Sequence, residues 1–231
     1  MALTDDAIAM IKARIVSGVW NPGDRLPPEH ELGEQLGISR NSLREAVKAL
    51  AFLGVLDVRH GGGTYVTSLE PDILLTSLAF VTDMHDDRAL REMFHIRRVL
   101  ESHAAAEAAR TATAEEIQAL RDELKTVDEI AQAADYLAHG AQFHRVLCGI
   151  AGNRYLTALV TSLIARPLFD RATAEPLAQA TVARTVHEHE AIVEAIATGD
   201  AARASELIEQ HVAEIDYWVR DGDELDSVGA H

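Results

Sequence analysis

The chain has 231 residues, 48% hydrophobic and 25% charged, which is typical of a globular protein of one large domain or two ordinary ones. It contains no apolar run long enough to span a bilayer, its first ten residues are acidic where a signal peptide is basic, and its single cysteine, Cys148, excludes an internal disulfide. We therefore expect a cytoplasmic protein with no membrane partner. The formal net charge of −16 argues at first against a nucleic-acid partner.

The charge is unevenly distributed along the chain. Residues 1–68 contain seven Lys and Arg against eight Asp and Glu, whereas the remaining residues contain fourteen against twenty-nine. The first segment is therefore close to neutral. This asymmetry fits a small DNA-binding domain joined to an acidic domain, although charge alone is explained more simply by two solvated surfaces of different acidity.

Residues 1–68 predict three helices followed by a β-hairpin. Apolar residues recur at helical spacing in the first, Ser39 is placed to cap the third, and β-branched residues alternate in the two strands. A glycine-rich stretch, residues 59–63, has the composition of a hairpin tip. The predicted elements are helices near 8–19, 29–36 and 39–54 and strands at 55–58 and 64–67.

Beyond a short linker at residues 68–72 the sequence predicts helices and no strand. Gly, Pro and Thr-rich breaks separate amphipathic segments near 72–83, 86–110, 113–128, 133–151, 154–169, 176–197 and 200–220. The predicted fold class is therefore mainly α. It combines an N-terminal winged helix-turn-helix with a small β-hairpin wing, residues 1–68, and a C-terminal all-α antiparallel helical bundle, residues 69–231.

The start of the third helix has the composition of a DNA-recognition helix. Arg40, Asn41 and Arg44 lie off its apolar face, where a recognition helix contacts base edges in the major groove. Arginine there can bind guanine, and asparagine adenine, through two hydrogen bonds. Any one of these residues is equally well explained as solvated surface, but their combination predicts DNA binding.

Four further residues complete this predicted surface. Ser42 and Lys48 are better placed for backbone phosphates than for bases. The tip at His60 and Gly61 allows the backbone to approach a groove closely, as a wing must.

These residues resemble the winged-helix domain of the GntR family of bacterial regulators. The resemblance covers residues 8–66 and is most specific from Leu26-Pro27 to Ser39-Arg40, in Leu43-Arg44-Glu45-Ala46, and at Gly61 and Gly63. It implies that Arg40 and Arg44 are the DNA-contacting arginines, that Asn41 and Ser42 are the polar positions beside them, and that His60-Gly61 is the wing tip. His30 replaces an arginine that in the family helps to hold DNA, a contact that histidine supplies only when protonated or as a weaker neutral donor.

Three of the eleven histidines lie on apolar faces of predicted helices, and they are His144, His189 and His211. His189 lies ten residues before Gly199 and His211 eleven after Asp200, so an antiparallel hairpin brings them to one level. Inward-facing imidazoles at one level, with a third from another helix, form metal sites in bundles. Three histidines hydrogen-bonded within a core would account for the pattern equally well.

The C-terminal segment resembles the FCD domain of the FadR-like branch of that family, over about residues 75–220. The resemblance rests on residues 94–101, on Gln142-Phe143-His144 with Ala151-Gly152-Asn153, and on Glu188-His189 through Gly199-Asp200 to His211. It implies a divalent metal ion, zinc or similar, held by one Asp and the three histidines, with a small carboxylate effector lying against it.

Two positions bear on that implied site. Gly140 stands where the aspartate is expected, one turn before His144. A water, the effector or Cys148 are candidates for the vacant position, although a buried structural thiol is the simpler role for Cys148. Arg97 matches a cavity-lining arginine that would bind the effector's carboxylate, and its alternative role is an ion pair with Glu101.

The sequence therefore predicts a non-enzymatic transcription regulator, with a repressor as the preferred form. A homodimer would bind a palindromic double-stranded operator, because one winged helix makes too few contacts alone. A small organic acid would control that binding. The alternatives are a metal-dependent helical-bundle enzyme and a regulator that has lost small-molecule sensing.

Overall fold

The structure is a computed structural model that describes residues 2–75, 87–125, 133–164 and 179–228. Its contacts divide the chain into two compact units, Met1–Ser77 and Leu78–His231. The predicted fold class is confirmed, since helices and a short hairpin are followed by a unit whose described elements are all helices. The domain boundary proposed after residue 68 stays a prediction. Among the described helices, none is long and apolar enough to cross a membrane.

In the first unit a glycine and a serine set the turn between two helices. Gly37 ends the second helix with a φ of +68°, a left-handed conformation that glycine adopts without strain. Ser39 begins the third helix, because its hydroxyl accepts a hydrogen bond from the Ser42 N–H at 3.2 Å. The elements of this unit are α1 (Ala2–Val16), α2 (Glu29–Leu36), α3 (Arg40–Phe52), β1 (Leu56–Arg59), β2 (Gly63–Val66) and α4 (Pro71–Leu74).

The core of this unit holds α3 by the apolar face predicted from the sequence. Leu43, Val47 and Leu50 are buried together with residues of α1, α2 and both strands. The strands pair antiparallel, with Leu56 opposite Val66 and Arg59 opposite Gly63. The side of α3 facing away from this core is therefore left exposed.

The second unit consists of long helices around one apolar core. They are α5 (Asp87–Thr111), α6 (Ala114–Lys125), α7 (Ala133–Ile150), α8 (Arg154–Ile164), α9 (Gln179–Ala197) and α10 (Ala201–Val228). Helix α5 packs along α10 and also contacts α7, α8 and α9. The parts of the predicted helices that fall at 76–86, 126–132 and 165–178 lie outside the described residues.

The turn between α9 and α10 creates the helical hairpin expected from the sequence. Gly199 takes a φ of +74°, and the Asp200 carboxylate accepts a hydrogen bond from the Arg203 N–H at 3.0 Å. The two helices therefore run back along one another, which places His189 beside His211.

Candidate DNA-binding surface and metal centre

The exposed side of α3 carries the predicted base-contacting residues. Arg40, Asn41 and Arg44 are exposed on its first two turns, opposite the buried face. Arg44 lies 3.5 Å from the Glu29 carboxylate, and Lys48 lies 2.9 Å from that of Glu45. Within the described part of the chain Arg40 has no acidic partner, so its charge is the least compensated on this helix.

The remaining predicted contacts lie around α3 in the same unit. Ser42 is half-buried, and its hydroxyl lies 2.9 Å from that of Ser39, so it takes part in the helix cap. His30 is exposed at the start of α2, with its Nε2 3.6 Å from Glu31. His60 and Gly61 are exposed at the hairpin tip, where Gly61 takes a φ of +70° that a residue with a side chain rarely adopts.

In the second unit the three predicted histidines converge. His144 comes from α7, His189 from α9 and His211 from α10, and each is at most 3% exposed. The Nε2 atoms of His189 and His211 are 3.0 Å apart, and those of His211 and His144 are 3.3 Å apart. One candidate ligand atom from each ring lies within 4.8 Å of the other two.

The outward nitrogens of two rings are held by carboxylates. His144 Nδ1 pairs with a Glu101 carboxylate oxygen, and His211 Nδ1 lies 2.7 Å from Glu188 Oε2. A carboxylate accepts a hydrogen bond from the protonated nitrogen, so the proton resides on Nδ1 and the Nε2 lone pair points into the cluster. His189 is held differently, by stacking on Phe143 with ring centroids 3.9 Å apart.

The protonation states of two of the three rings also fit metal binding. Burial lowers the pKa of His144 and lowers that of His189 well below 6.5, so both rings are neutral at pH 7. Only neutral imidazole binds a metal ion. A tetrahedral ion with zinc–nitrogen bonds of about 2.0–2.1 Å holds its ligand nitrogens about 3.3 Å apart, close to the observed Nε2 separations.

A buried ion pair lies behind His144. Glu101 is fully buried, and its Oε1 accepts a hydrogen bond from Arg97 Nε at 2.8 Å. Burial alone would raise the pKa of Glu101, but the charge of Arg97, the charge that His144 gains at acidic pH and the hydrogen bonds from both residues outweigh it and lower the pKa to about 2. The ion pair left open by the sequence is therefore present, and within the described residues the other guanidinium nitrogens of Arg97 have no hydrogen-bond partner.

Gly140 and Cys148, the two residues that bear on a fourth ligand position, have different surroundings in the structure. Among the described residues, no side chain and no backbone beyond its own helix lies within 4 Å of the position that a Cβ on Gly140 would occupy. Cys148 is buried, and burial raises the pKa of its thiol well above the usual range. Cys148 is absent from the group of candidate ligand atoms found among the described residues.

Neither Glu101 nor Glu188 was predicted from the sequence to contact a histidine. The sequence offers a sign of this role for Glu101, because the acid is followed on the same helix face by three buried alanines, Ala104, Ala105 and Ala108. Glu188 carries little signal, since an acid next to a histidine on a helix is ordinarily solvated.

A winged helix joined to an all-helical unit is the architecture of a class of DNA-binding transcription regulators. The model of the bacterial regulatory proteins of the gntR family matches residues 3–66, and that of the FCD domain matches residues 92–214. The chain therefore belongs to the GntR family and carries an FCD domain.

Individual relatives agree with this assignment. The chain is 28% identical to the HTH-type transcriptional regulator LutR of Bacillus subtilis, over 87% of this chain and 94% of LutR. It is 32% identical to the transcriptional regulator YcbG of the same organism, over 91% and 87%. A solved structure of a Streptococcus agalactiae GntR protein has a TM-score of 0.64 at 26% identity, covering 93% of this chain and 99% of that one. These matches favour a DNA-binding transcription regulator over the enzyme alternative.

Proposed function

We propose that the protein is a cytoplasmic repressor that binds a palindromic operator as a homodimer and is controlled by a small carboxylate bound beside a divalent metal ion. The observation that carries this proposal is the convergence of three buried histidines whose Nε2 atoms face one another. A core that needed only hydrogen-bonded histidines would not bring three ring nitrogens together with the protons of two rings held on the opposite nitrogen by Glu101 and Glu188.

His144, His189 and His211 would hold the ion, with Glu101 and Glu188 fixing two of the rings. When bound, the ion supplies positive charge and an open coordination position. Three neutral imidazoles leave that charge uncompensated, and Gly140 supplies no carboxylate. A small organic anion complements such a site better than a neutral molecule does.

Arg97 is the residue proposed to hold the far end of that anion. Its charge is already balanced by Glu101, but its Nε alone makes that contact. The two terminal nitrogens of a guanidinium can bind a carboxylate through parallel hydrogen bonds. Arg97 therefore serves both as counterion to Glu101 and as an effector contact.

Operator recognition is proposed for the exposed face of α3 and the hairpin tip. Arg40, Asn41 and Arg44 would contact bases, and Lys48 and His30 phosphates. Ser42 would act beside them, with the tip at His60 and Gly61 in the adjacent groove. The effector regulates this binding only if it binds the operator-competent and incompetent arrangements of the dimer with different affinities.

Metal content tests the centre of the proposal. Protein purified without chelator should contain about one divalent ion per chain, and His189→Ala should contain none. His187→Ala is a matched control, because this neighbouring histidine is exposed. Equal metal content in His189→Ala and the wild type would contradict the proposal.

Effector control is tested with thermal shift against a panel of organic acids, with and without the metal ion. An acid that raises the melting temperature only with metal present should also change affinity for operator DNA. The same acid should have no effect on His189→Ala. A protein that binds neither metal nor any acid would instead be a regulator that has lost small-molecule sensing.

A further inference from the structure

The winged unit contains an exposed arginine outside the predicted DNA-contacting residues. In the described structure Arg44, Lys48 and Arg59 each lie beside a carboxylate. Arg25, between α1 and α2, is exposed and has no acidic partner among the described residues. Its position in the fold decides whether this free charge can meet DNA.

Arg25 lies on a short segment that extends the hairpin sheet. It forms an antiparallel bridge with Tyr65 of β2. The Leu26 N–H donates to the Thr64 carbonyl at 2.8 Å, and the Val66 N–H donates to the Asp24 carbonyl at 2.9 Å. Because Leu26 is buried, the alternation of a strand directs Arg25 to the opposite, exposed face.

The guanidinium of Arg25 rests on the backbone of Gly63. A Cβ on Gly63 would lie 2.6 Å from Arg25 Nε and 2.9 Å from Nη2, so a side chain there would displace the guanidinium. Gly63 also takes a φ of +103°, which favours glycine. The charge of Arg25 is thereby held beside Gly63, which is two residues along the chain from Gly61 at the tip of the wing.

A second arginine on this sheet, Arg59, already has a carboxylate and an aromatic ring as partners. Arg59 Nε lies 2.8 Å from the Asp57 carboxylate, and the guanidinium lies over the Tyr65 ring at 4.2 Å from its centroid. The negative charge of Asp57 weakens the attraction of Arg59 for an anion such as a DNA phosphate. Of these two arginines on the hairpin sheet, Arg25 is therefore the one whose charge is available to DNA.

We propose that Arg25 is a phosphate contact of the wing, with its guanidinium seated on Gly63 and bound to the DNA backbone beside the groove that the His60-Gly61 tip approaches. This inference rests on the proposed use of that tip in DNA binding. A phosphate contact strengthens binding to any sequence through counterion release and carries no base information.

The test is the salt dependence of binding to a mixed-sequence duplex. Arg25→Ala should reduce the slope of log K against log salt by about 0.9 per bound copy of the chain, which corresponds to roughly eightfold weaker binding per copy at 0.1 M salt. Arg25→Lys should keep most of the slope. Arg203→Ala, an exposed arginine of the helical unit, should keep all of it. A slope for Arg25→Ala equal to that of the wild type would overturn the inference.

Two further measurements test whether Arg25 contacts phosphate rather than bases and whether its guanidinium is seated on Gly63. The preference for an operator selected by the wild-type protein over the mixed duplex should be unchanged in Arg25→Ala, and a relaxed preference would mean base contact instead. Gly63→Ala should weaken binding more in the wild type than in Arg25→Ala, because its Cβ displaces a guanidinium only where Arg25 is present, whereas the backbone strain at a φ of +103° acts in both. Equal losses of affinity in both backgrounds would show that the Arg25 guanidinium is not held on Gly63.

The same variants also distinguish this inference from the proposed function. Arg40→Ala should abolish the operator preference whatever the role of Arg25. If the wild-type protein shows no operator preference, the proposed function fails. If Arg40→Ala abolishes the preference while Arg25→Ala keeps the full slope, only the inference fails. Thermal unfolding of each variant establishes that the winged unit is folded.

Discussion

Replacement of Glu101 by glutamine tests the buried polar chain behind His144. Glu101→Gln keeps the shape of the side chain but leaves the buried Arg97 without a counterion. The pKa of Glu101 is about 2 against 4.5 for an unperturbed glutamate, and each unit corresponds to 1.36 kcal/mol. The carboxylate form therefore contributes about 3 kcal/mol, in line with the cost of breaking buried pairs.

We expect metal-free Glu101→Gln to lose about 3 kcal/mol in the free energy of unfolding of the helical unit at pH 7. Urea unfolding followed by far-ultraviolet circular dichroism, with chelator present, measures this loss. Glu107→Gln, which removes a solvated pair with Arg110 on the same helix, should cost less than about 1 kcal/mol. Adding Arg97→Met to Glu101→Gln should restore part of the stability, since the unpaired charge is gone.

The sign of the pH dependence follows from the lowered pKa of Glu101. Its contribution is fully present above pH 4.5 and is lost as the pH falls from 4.5 towards 2. The glutamine variant should lack this part of the acid sensitivity. A loss of less than about 1 kcal/mol at pH 7, or an acid transition unchanged from the wild type, would refute the reasoning.

Three other predictions concern single residues. Gly140→Asp should tighten zinc binding in competition with a chelator, because it places a carboxylate one turn before His144 where a Cβ meets no described side chain, and Gly149→Asp on the same helix should have no effect. Because the pKa of His189 lies well below 6.5 in the folded state, only the unfolded chain gains this proton, so metal-free protein should lose stability as the pH falls below 6.5. A flat urea midpoint from pH 7.5 to 5.5 would contradict this. Operator affinity should rise from pH 8 to 6 more steeply in the wild type than in His30→Ala, and equal slopes would remove His30 from the DNA contacts.

The periodicity of the sequence was sufficient to predict the long helices and the hairpin, because each apolar face has one core to pack against, but the helix expected at 72–83 is a single turn, Pro71–Leu74, in its described part. The buried face of α3, Leu43, Val47 and Leu50, was predicted by spacing alone, and the turn at Gly37 by its residue type. The end of α1 at Val16 was less predictable. Val19 continues the helical spacing, but it is exposed and follows a turn at Gly18.

The three histidines of the cluster could be predicted from the sequence, but the carboxylates that hold two of their rings could not. His189 and His211 are related by a short hairpin, so counting from the turn aligned them. Glu101 reaches His144 across 43 residues of chain, and such pairing depends on how helices pack rather than on any local pattern. The close contact of Arg25 with Gly63 could not be predicted from the sequence either, because it too depends on the packing of segments that are distant in the chain.

The wide spacing of the three histidines along the chain gives a bound ion a second physical role. His144 and His211 are 67 residues apart and His189 and His211 are 22 apart, so coordination would close two loops of the unfolded chain. Closing loops of this size with a covalent cross-link contributes about 3–4 kcal/mol each in the chain-entropy description. Unlike a disulfide, an ion held by three side chains can exchange a fourth ligand without opening either loop. An anion arriving at the ion could therefore alter the spacing of three helices while all three stay cross-linked.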